Sequence, residues 1–295
     1  MIKPLKNDIP GLLEYASILV DAALAEDIGE GDITTRAIVK KGQEGKAEFI
    51  AKEDMTVAGL FIAELAFIRL DKKAVFKARY KDGDKIKKGE VMATVSGGLG
   101  TLLTGERVAL NFLQRLSGIA TKTSAFVKAI KSPKTLLLDT RKTTPCLRPL
   151  EKYAVVAGGG TNHRLGLYDS ILIKDNHIMA AGSVTAAIDA VRKKYKDTVQ
   201  IEVEVTDLSE TKEAVSCGAD MIMLDNMKVP VMKKALKLIG DKALVEASGN
   251  IDINNIAAVA ATGVDFISVG ALTHSAKSID ISMEVVWAKK SKKSK

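Results

Sequence analysis

A chain of 295 residues, 46% of them hydrophobic, can bury a large core in one big domain or two smaller ones, and its only two cysteines, Cys146 and Cys217, exclude a disulfide framework and fit a reducing compartment. The net charge of +8 owes part of its excess to the tail KKSKKSK over Lys289 to Lys295, which reads as a solvated end; with 4% aromatics and no motif interleaving them with Lys or Arg, nucleic acid is not an expected partner. The N-terminal apolar stretch is broken by Pro10, Glu14 and Asp21, so neither a signal peptide nor a membrane span is expected and the chain reads as cytoplasmic.

Leu12, Leu13, Ala16, Leu19, Val20 and Ala23 recur at helical spacing and predict an amphipathic helix up to about Leu24. The following AEDIGEGDITT lacks the spacing and the distal Glu of a calcium loop and reads as a connection capped by Asp32 and its threonines. From Ala47 to about Ser96 the short runs AEFIAK, TVAGL, AVFKARY and KIKKGEVMATVSG predict strands joined by turns such as Lys81 to Asp84, with a helix over Phe61 to Leu70. The last phrase resembles half of a lipoyl or biotinyl carrier domain, but no lysine on a tight, Met-flanked hairpin follows, so a carrier role is not expected. Thr101 to about Lys131 predicts one or two helices with an apolar stripe through Leu102, Ala109, Leu113 and Leu116. Arg107 lies off that stripe and taken alone reads as a solvated helix arginine.

After Pro133 strand and helix alternate. Strands are expected over Thr135 to Leu138, Ser170 to Lys174, Val199 to Val205, Asp220 to Leu224, Ala243 to Ala247 and Asp265 to Val269, with helices such as Val184 to Tyr195, Leu208 to Cys217, Val229 to Ile239 and Ile253 to Ala261 between the later ones. Charged residues end almost every strand, which favours a parallel α/β barrel over a doubly wound sheet, and six strands where a full barrel has eight make it incomplete. The segment after His274, Trp287 included, is expected to return to the first domain.

The stretch from Leu136 to Met179 carries the most chemistry. One strand delivers Asp139, Arg141 and Lys142, the next delivers Lys174, Asp175 and His177, and Asn162, His163 and Arg164 follow the run Gly158 to Gly160 between them. Brought together, these residues place several cations with almost no compensating acid, which suits a small, multiply anionic ligand. In IEVEV, Glu202 and Glu204 share one strand face, and if that face is the barrel interior both need the nearby lysines and arginines as partners. Glu202 reads as an internal ion-pair residue, and Glu204, nearer the strand's C-terminal end, as the functional candidate. Asp225 ends the next strand. Ser248, Gly249, Asn250 and Val269, Gly270, Ala271 follow the last two strands as turns or as cradles whose N–H groups approach an anion. No Cys or His spacing suggests zinc.

The segments ALAEDIGEGDITT, GERVALNFLQRLSGIAT, DTRKTTP, EKYAV, GGGTNHRLGLYDSILIKDNHI, IEVEV, MLDN, EASGN and GVDFISVGALTHS resemble, in order, the blocks of the quinolinate phosphoribosyltransferase family, the nicotinate-nucleotide pyrophosphorylases, and cover the chain from about Leu24 to Ser275. The resemblance implies a six- to seven-stranded, open-sided α/β barrel over 116–275 and an N-terminal α/β sandwich over 1–115 that 276–295 rejoins. It implies transfer of phosphoribosyl from phosphoribosyl pyrophosphate (PRPP) to quinolinate, with decarboxylation to nicotinate mononucleotide, in NAD biosynthesis. Arg107, from the neighbouring subunit of a homodimer or of a larger assembly of dimers, would join Thr140, Arg141, Lys142, His163, Arg164 and Lys174 around quinolinate. Glu204 and Asp225 would address the ribose hydroxyls and the Mg2+ carried by PRPP, and with Lys142 and Lys174 form the catalytic set. The two glycine turns would take the phosphate. Arg148 and Lys152 match as supporting residues. Cys146 stands where TTPGLR is the more usual reading, so its loop is expected to close differently. The runner-up readings are a phosphoribosyltransferase that acts on nicotinate or another acid without decarboxylation, a divergent relative recruited to molybdate-linked metabolism, and a non-catalytic anion-binding barrel, which gains nothing from Glu204 and Asp225.

Overall fold

The computed structural model describes residues 9–286, so Trp287 and the lysine tail lie outside the described residues. Two compact units divide them: residues 9–122, 149–158 and the segment from Ala276 form one, and residues 123–148 and 159–275 the other.

In the first unit α1 (Leu12–Ile28) is followed by α2 (Ile33–Ile38). The expected connection at this point is therefore partly helical. Its capping residue is the expected one, because the Asp32 carboxylate accepts the Thr35 N–H at 2.9 Å and satisfies one of the first-turn donors. Strands β1 (Glu44–Ala51), β2 (Met55–Thr56), β3 (Val75–Ala78), β4 (Lys85–Ile86) and β5 (Val91–Gly98) follow, with α3 (Leu60–Leu70) between β2 and β3. Phe49 of β1 packs its ring edge-on against Phe67 of α3, with centroids 6.0 Å apart, which seats the helix on the sheet. Next comes α4 (Leu99–Ile130), one continuous helix of 32 residues whose buried stripe includes Leu102, Ala109, Leu113 and Leu116. Its turns from Thr123 onward belong to the second unit.

The second unit opens with β6 (Leu136–Leu138). The helix α5 (Arg148–Ala157) then lies almost wholly in the first unit, where Arg115 pairs at 2.7 Å with the fully buried Glu151, and Tyr153 donates to Asp82 at 2.6 Å. The alternating part continues through β7 (Ile171–Ile173), α6 (Asp175–Ala181), α7 (Val184–Tyr195), β8 (Ile201–Val205), α8 (Leu208–Ser216), β9 (Met221–Asp225), α9 (Val229–Ile239), β10 (Leu244–Ser248), α10 (Ile256–Ala260), β11 (Phe266–Ser268) and α11 (Ala271–His274). Local signals set these boundaries: Ser183 and Asp207 cap α7 and α8 through side-chain oxygens, Pro230 sits in the first turn of α9, and Gly240 ends it.

The six strands form one parallel sheet in the order β6-β11-β10-β9-β8-β7, so the first strand pairs with the last and the sheet curls into a barrel. A single parallel bridge from Leu138 to Thr161 adds a one-residue seventh member beside β6. Among the described residues no ladder joins Thr161 to β7, which leaves the barrel open on that side. This is the incomplete barrel expected from the sequence. Finally β12 (Ile281–Val285) returns the chain to the first unit, pairing antiparallel with β1 and completing the sheet order β12-β1-β5-β3 of an open-faced sandwich. Among the described residues no helix is long and apolar enough to cross a membrane.

Candidate active site

The C-terminal ends of the barrel strands surround a cavity of about 690 Å³. Its wall contains Thr140, Arg141, Lys142, His163, Arg164, Lys174, Glu204, Asp225, Ser248, Gly249 and Asn250, so residues drawn from five separate sequence blocks meet in one place. Buried parallel strands deliver them there: each apolar run ends where the chain leaves the core, and the next polar side chains face the opening.

The loops that carry the cations are tied down from beneath. Asp139, fully buried at the end of β6, accepts the His163 amide at 2.8 Å and so fixes the segment that follows the glycine run. Arg148 donates from Nε to Thr143 Oγ1 at 3.0 Å and from Nη1 to the Leu165 carbonyl at 3.1 Å, joining the two basic loops. The supporting role implied for Arg148 thus has a physical form. His177 accepts the Lys174 amide at 3.0 Å and caps α6.

The cations are held with donors to spare. Arg164 is 5% exposed and gives Nη1 to the Ser170 carbonyl at 3.1 Å; burial, then the neighbouring Arg141 guanidinium, pull its pKa below the ordinary arginine value. Arg141 Nε is buried without a hydrogen bond. Two crowded guanidiniums and an unpaired buried donor are stabilised together by an anion, which relieves the repulsion and pairs the donor. Lys174 Nζ meets Glu204 Oε2 at 2.7 Å.

Glu204 and Asp225 end the adjacent strands β8 and β9, and Ser248 lies opposite Asp225 in the ladder with β10. A chain of side-chain amides anchors this corner: Asn226 donates to Asp225 at 2.7 Å, Asn250 donates to Asn226 at 2.8 Å, and Asn255 donates to the Asn250 carbonyl at 2.9 Å. Asn226 and Asn250 both sit at positive φ, 54° and 51°, a conformation asparagine tolerates better than most residues. Asn226 also lines the cavity and is not singled out by the sequence as a site residue; its place directly after Asp225 in MLDN is the only signal for it.

Four expected residues stand apart. Val269, Gly270 and Ala271 do not line the cavity; Ser268, one residue earlier, does. A Cβ at Gly270 would lie 3.0 Å from Lys142 Cδ, so that glycine makes room for the lysine stem. Arg107 is exposed on α4 in the other unit.

Below the cations the interior differs from expectation. Glu202 does face inward with Glu204, but its partner is neither lysine nor arginine: His163 Nε2 lies 3.1 Å from its Oε2, and 3.5 Å from Glu246 Oε2. Glu246 alternates with Val245 and Ala247 in LVEAS as Glu202 does in IEVEV, so the same period-2 pattern marks it as an interior acid. Burial pushes the Glu202 carboxyl up to about 7. Burial and then the Glu202 charge push Glu246 up to about 8. Cys146 sits at a special backbone position. Its φ is +62°, in the left-handed region that glycine enters without strain.

The comparisons agree with this geometry. The domain described as "Quinolinate phosphoribosyl transferase, N-terminal domain" matches residues 32–117 and its C-terminal counterpart matches residues 119–284. A probable nicotinate-nucleotide pyrophosphorylase of Bacillus subtilis is 46% identical over 273 residues, covering 92% of this chain and 94% of its own; one from Synechocystis is 47% identical over 266 residues, covering 89% and 90%. The crystal structure of NadC from Streptococcus pyogenes superposes with a TM-score of 0.91 at 42% identity, covering 96% of this chain and 99% of that one. With both domain families matched along the chain and a basic cavity at the barrel mouth, this protein belongs to the quinolinate phosphoribosyltransferase family.

Proposed function

We infer that the chain catalyses transfer of phosphoribosyl from PRPP to quinolinate with loss of CO2, yielding nicotinate mononucleotide and pyrophosphate. The observation that carries this is the cavity itself, in which Arg141, Lys142, Arg164 and Lys174 converge with Glu204, Asp225 and the Ser248 to Asn250 turn. Quinolinate has two adjacent carboxylates that repel one another. The cations neutralise both, with the unpaired Arg141 Nε and the Arg164 guanidinium giving charge-assisted hydrogen bonds.

Glu204 and Asp225 face the sugar. Two carboxylates on neighbouring strand ends, beside a turn able to hold phosphate, fit a magnesium ion that arrives on PRPP and keeps water and phosphate oxygens as its other ligands. When bound, the ion supplies charge neutralisation for the departing pyrophosphate. The turn at Gly249 lets backbone N–H groups approach the phosphate. As the pyridine nitrogen bonds to the anomeric carbon and the bond to pyrophosphate breaks, positive charge spreads over the ribose, and Glu204 and Asp225 stabilise it. The nitrogen of the adduct is cationic, so the electron pair left on the ring when the adjacent carboxylate departs as CO2 is stabilised next to it, and a proton then replaces the carboxylate. No step before that protonation calls for a general base; positioning and charge supply the acceleration.

The functional unit is a homodimer in which Arg107, exposed on α4, completes the quinolinate pocket of the neighbouring subunit. The test is an assay of purified protein with quinolinate, PRPP and magnesium, following CO2 and the nucleotide together. Equimolar CO2 and nicotinate mononucleotide are expected, with no turnover of nicotinate in place of quinolinate; nucleotide formed from nicotinate, or none from quinolinate, overturns the assignment.

A further inference from the structure

Not all of the barrel interior is used by the candidate active site. A second cavity, of about 170 Å³, is lined by Leu136, Ile201, Met221, Leu244 and Phe266, the first residues of five barrel strands, and so occupies the end opposite the candidate active site. His163, Glu202 and Glu246 also line it, and of these His163 and Glu246 line the larger cavity as well. Glu202 is 5% exposed and Glu246 fully buried, and Glu202 Oε1 and both Glu246 oxygens have no hydrogen bond. Carboxylate oxygens left unpaired in an interior are costly, so an occupant that brings donors is favoured.

That occupant is not a metal ion, although the three side chains offer atoms within 4.8 Å of one another. His163 Nδ1 accepts the Arg164 amide at 2.7 Å, which places the ring proton on Nε2. Nε2 therefore turns its proton to Glu202 Oε2, 3.1 Å away, and a nitrogen that donates is closed to coordination. Asp220, the other acid on the wall, is already taken by Arg192 at 2.9 Å and the Ile201 amide at 2.8 Å. What remains is an apolar chamber with acceptors at its inner end. A dry cavity of about 150 Å³ with aliphatic walls holds a benzene ring. The chamber here is of that size.

We propose that this cavity is a second ligand site, for a compact organic cation: an amidine or amine on an apolar body about the size of benzene, with its N–H groups on Glu202 and Glu246 and its body against Ile201, Met221, Leu244 and Phe266.

Benzamidine is the probe, read by calorimetry in alkaline buffer without quinolinate and by soaking into crystals, with benzoate and benzene as controls of similar shape. One saturable site per chain is expected for benzamidine, with its amidinium between Glu202 and Glu246, and weaker or no binding for either control. Glu246→Gln and Glu202→Gln should each weaken benzamidine at least tenfold. Leu244→Phe, which fills the chamber from its rim and leaves both acids intact, should abolish binding. The proposal is overturned by any one of four results: no saturable binding, equal binding of benzoate or benzene, unchanged affinity in Leu244→Phe, or a soaked crystal with only water between the two acids.

Discussion

Lys174 Nζ lies 2.7 Å from Glu204 Oε2, so the lysine at the end of β7 is held over the cavity by the acid at the end of the neighbouring strand β8. The two residues have different tasks in the proposed reaction, and kinetics should separate them. Lys174 meets a quinolinate carboxylate, so Lys174→Ala should cost on the order of 2 to 5 kcal/mol and appear mainly as a raised quinolinate KM. Glu204 acts on charge that develops at the sugar, so Glu204→Gln should lower kcat by about 100- to 1,000-fold and change quinolinate KM little. Steady-state kinetics in both substrates makes the comparison; equal effects on kcat and KM in both variants would remove the division of labour.

Arg107 provides a test that no monomeric site can pass. Subunits carrying Arg107→Ala, mixed with subunits carrying Lys174→Ala, should form hybrid dimers in which one of the two sites has every cation. Activity should therefore rise above that of either parent, toward about a quarter of the wild-type value for random exchange of equal amounts. Mass spectrometry of the mixture establishes exchange. With exchange demonstrated and no recovery, Arg107 acts within its own chain or not at all.

Glu202 and Glu246 make stability depend on pH in an unusual direction. Their carboxyls rise from 4.5 to about 7 and about 8 in the folded protein, so between these limits the folded state holds protons that the unfolded chain has lost. Where the native state binds more protons, stability falls as pH rises. One extra proton held by the native state is worth about 1.4 kcal/mol for every pH unit over which it is held. The ligand-free protein should lose on the order of 6 kcal/mol between about pH 5 and pH 8 from this pair. Glu246→Gln removes one of the two titrating charges, so it should flatten the slope and raise stability at the alkaline end. Urea unfolding at several pH values measures both. A flat profile in the wild type would show that the pair is neutralised by other means.

Cys146 carries a backbone cost that glycine would not. At φ +62° an L side chain crowds its own carbonyl, at about 1 kcal/mol or more. Cys146→Gly removes that strain and adds freedom to the unfolded chain, so the net gain should be no more than about 1 kcal/mol. The residue is exposed and does not line the cavity, so turnover should be unchanged. Thermal unfolding together with the standard assay checks this.

The sequence was most readable where one residue's chemistry had one use. Apolar residues marked all six barrel strands, and at β6, β7 and β9 the run ended directly in charge, where a buried parallel strand reaches solvent. Arg141, Arg164, Lys174, Glu204 and Asp225 were legible as a group for the same reason. The partner of Glu202 was not: periodicity shows which way an acid points, and no local pattern says that the residue opposite is His163 and then another acid, Glu246. Nor could the split of α5 from the barrel be read, since Arg115 and Asp82, which hold it in the first unit, lie far away in the chain. The seventh barrel position is a single bridge at Thr161, too short for any strand pattern to register.

Gly249 is the residue whose side chain must be absent. Its φ is +86°, and a Cβ there would collide with the Asn226 side chain and come within 3.0 Å of the Asn226 nitrogen. Asn226 cannot retreat cheaply, because it donates to Asp225 at 2.7 Å and accepts from Asn250 at 2.8 Å, so the collision would displace the acid proposed to face the ribose. Gly249→Ala should therefore raise the PRPP KM at least tenfold, about 1.4 kcal/mol, and lower kcat as well, while quinolinate binding changes little because the cations on β6 and β7 are untouched. Pairing it with Asn226→Ala separates the two causes. The double variant relieves the collision but not the strained φ, so if the clash dominates it should recover PRPP affinity relative to Gly249→Ala alone. If the double variant is no better, the φ requirement alone explains the glycine.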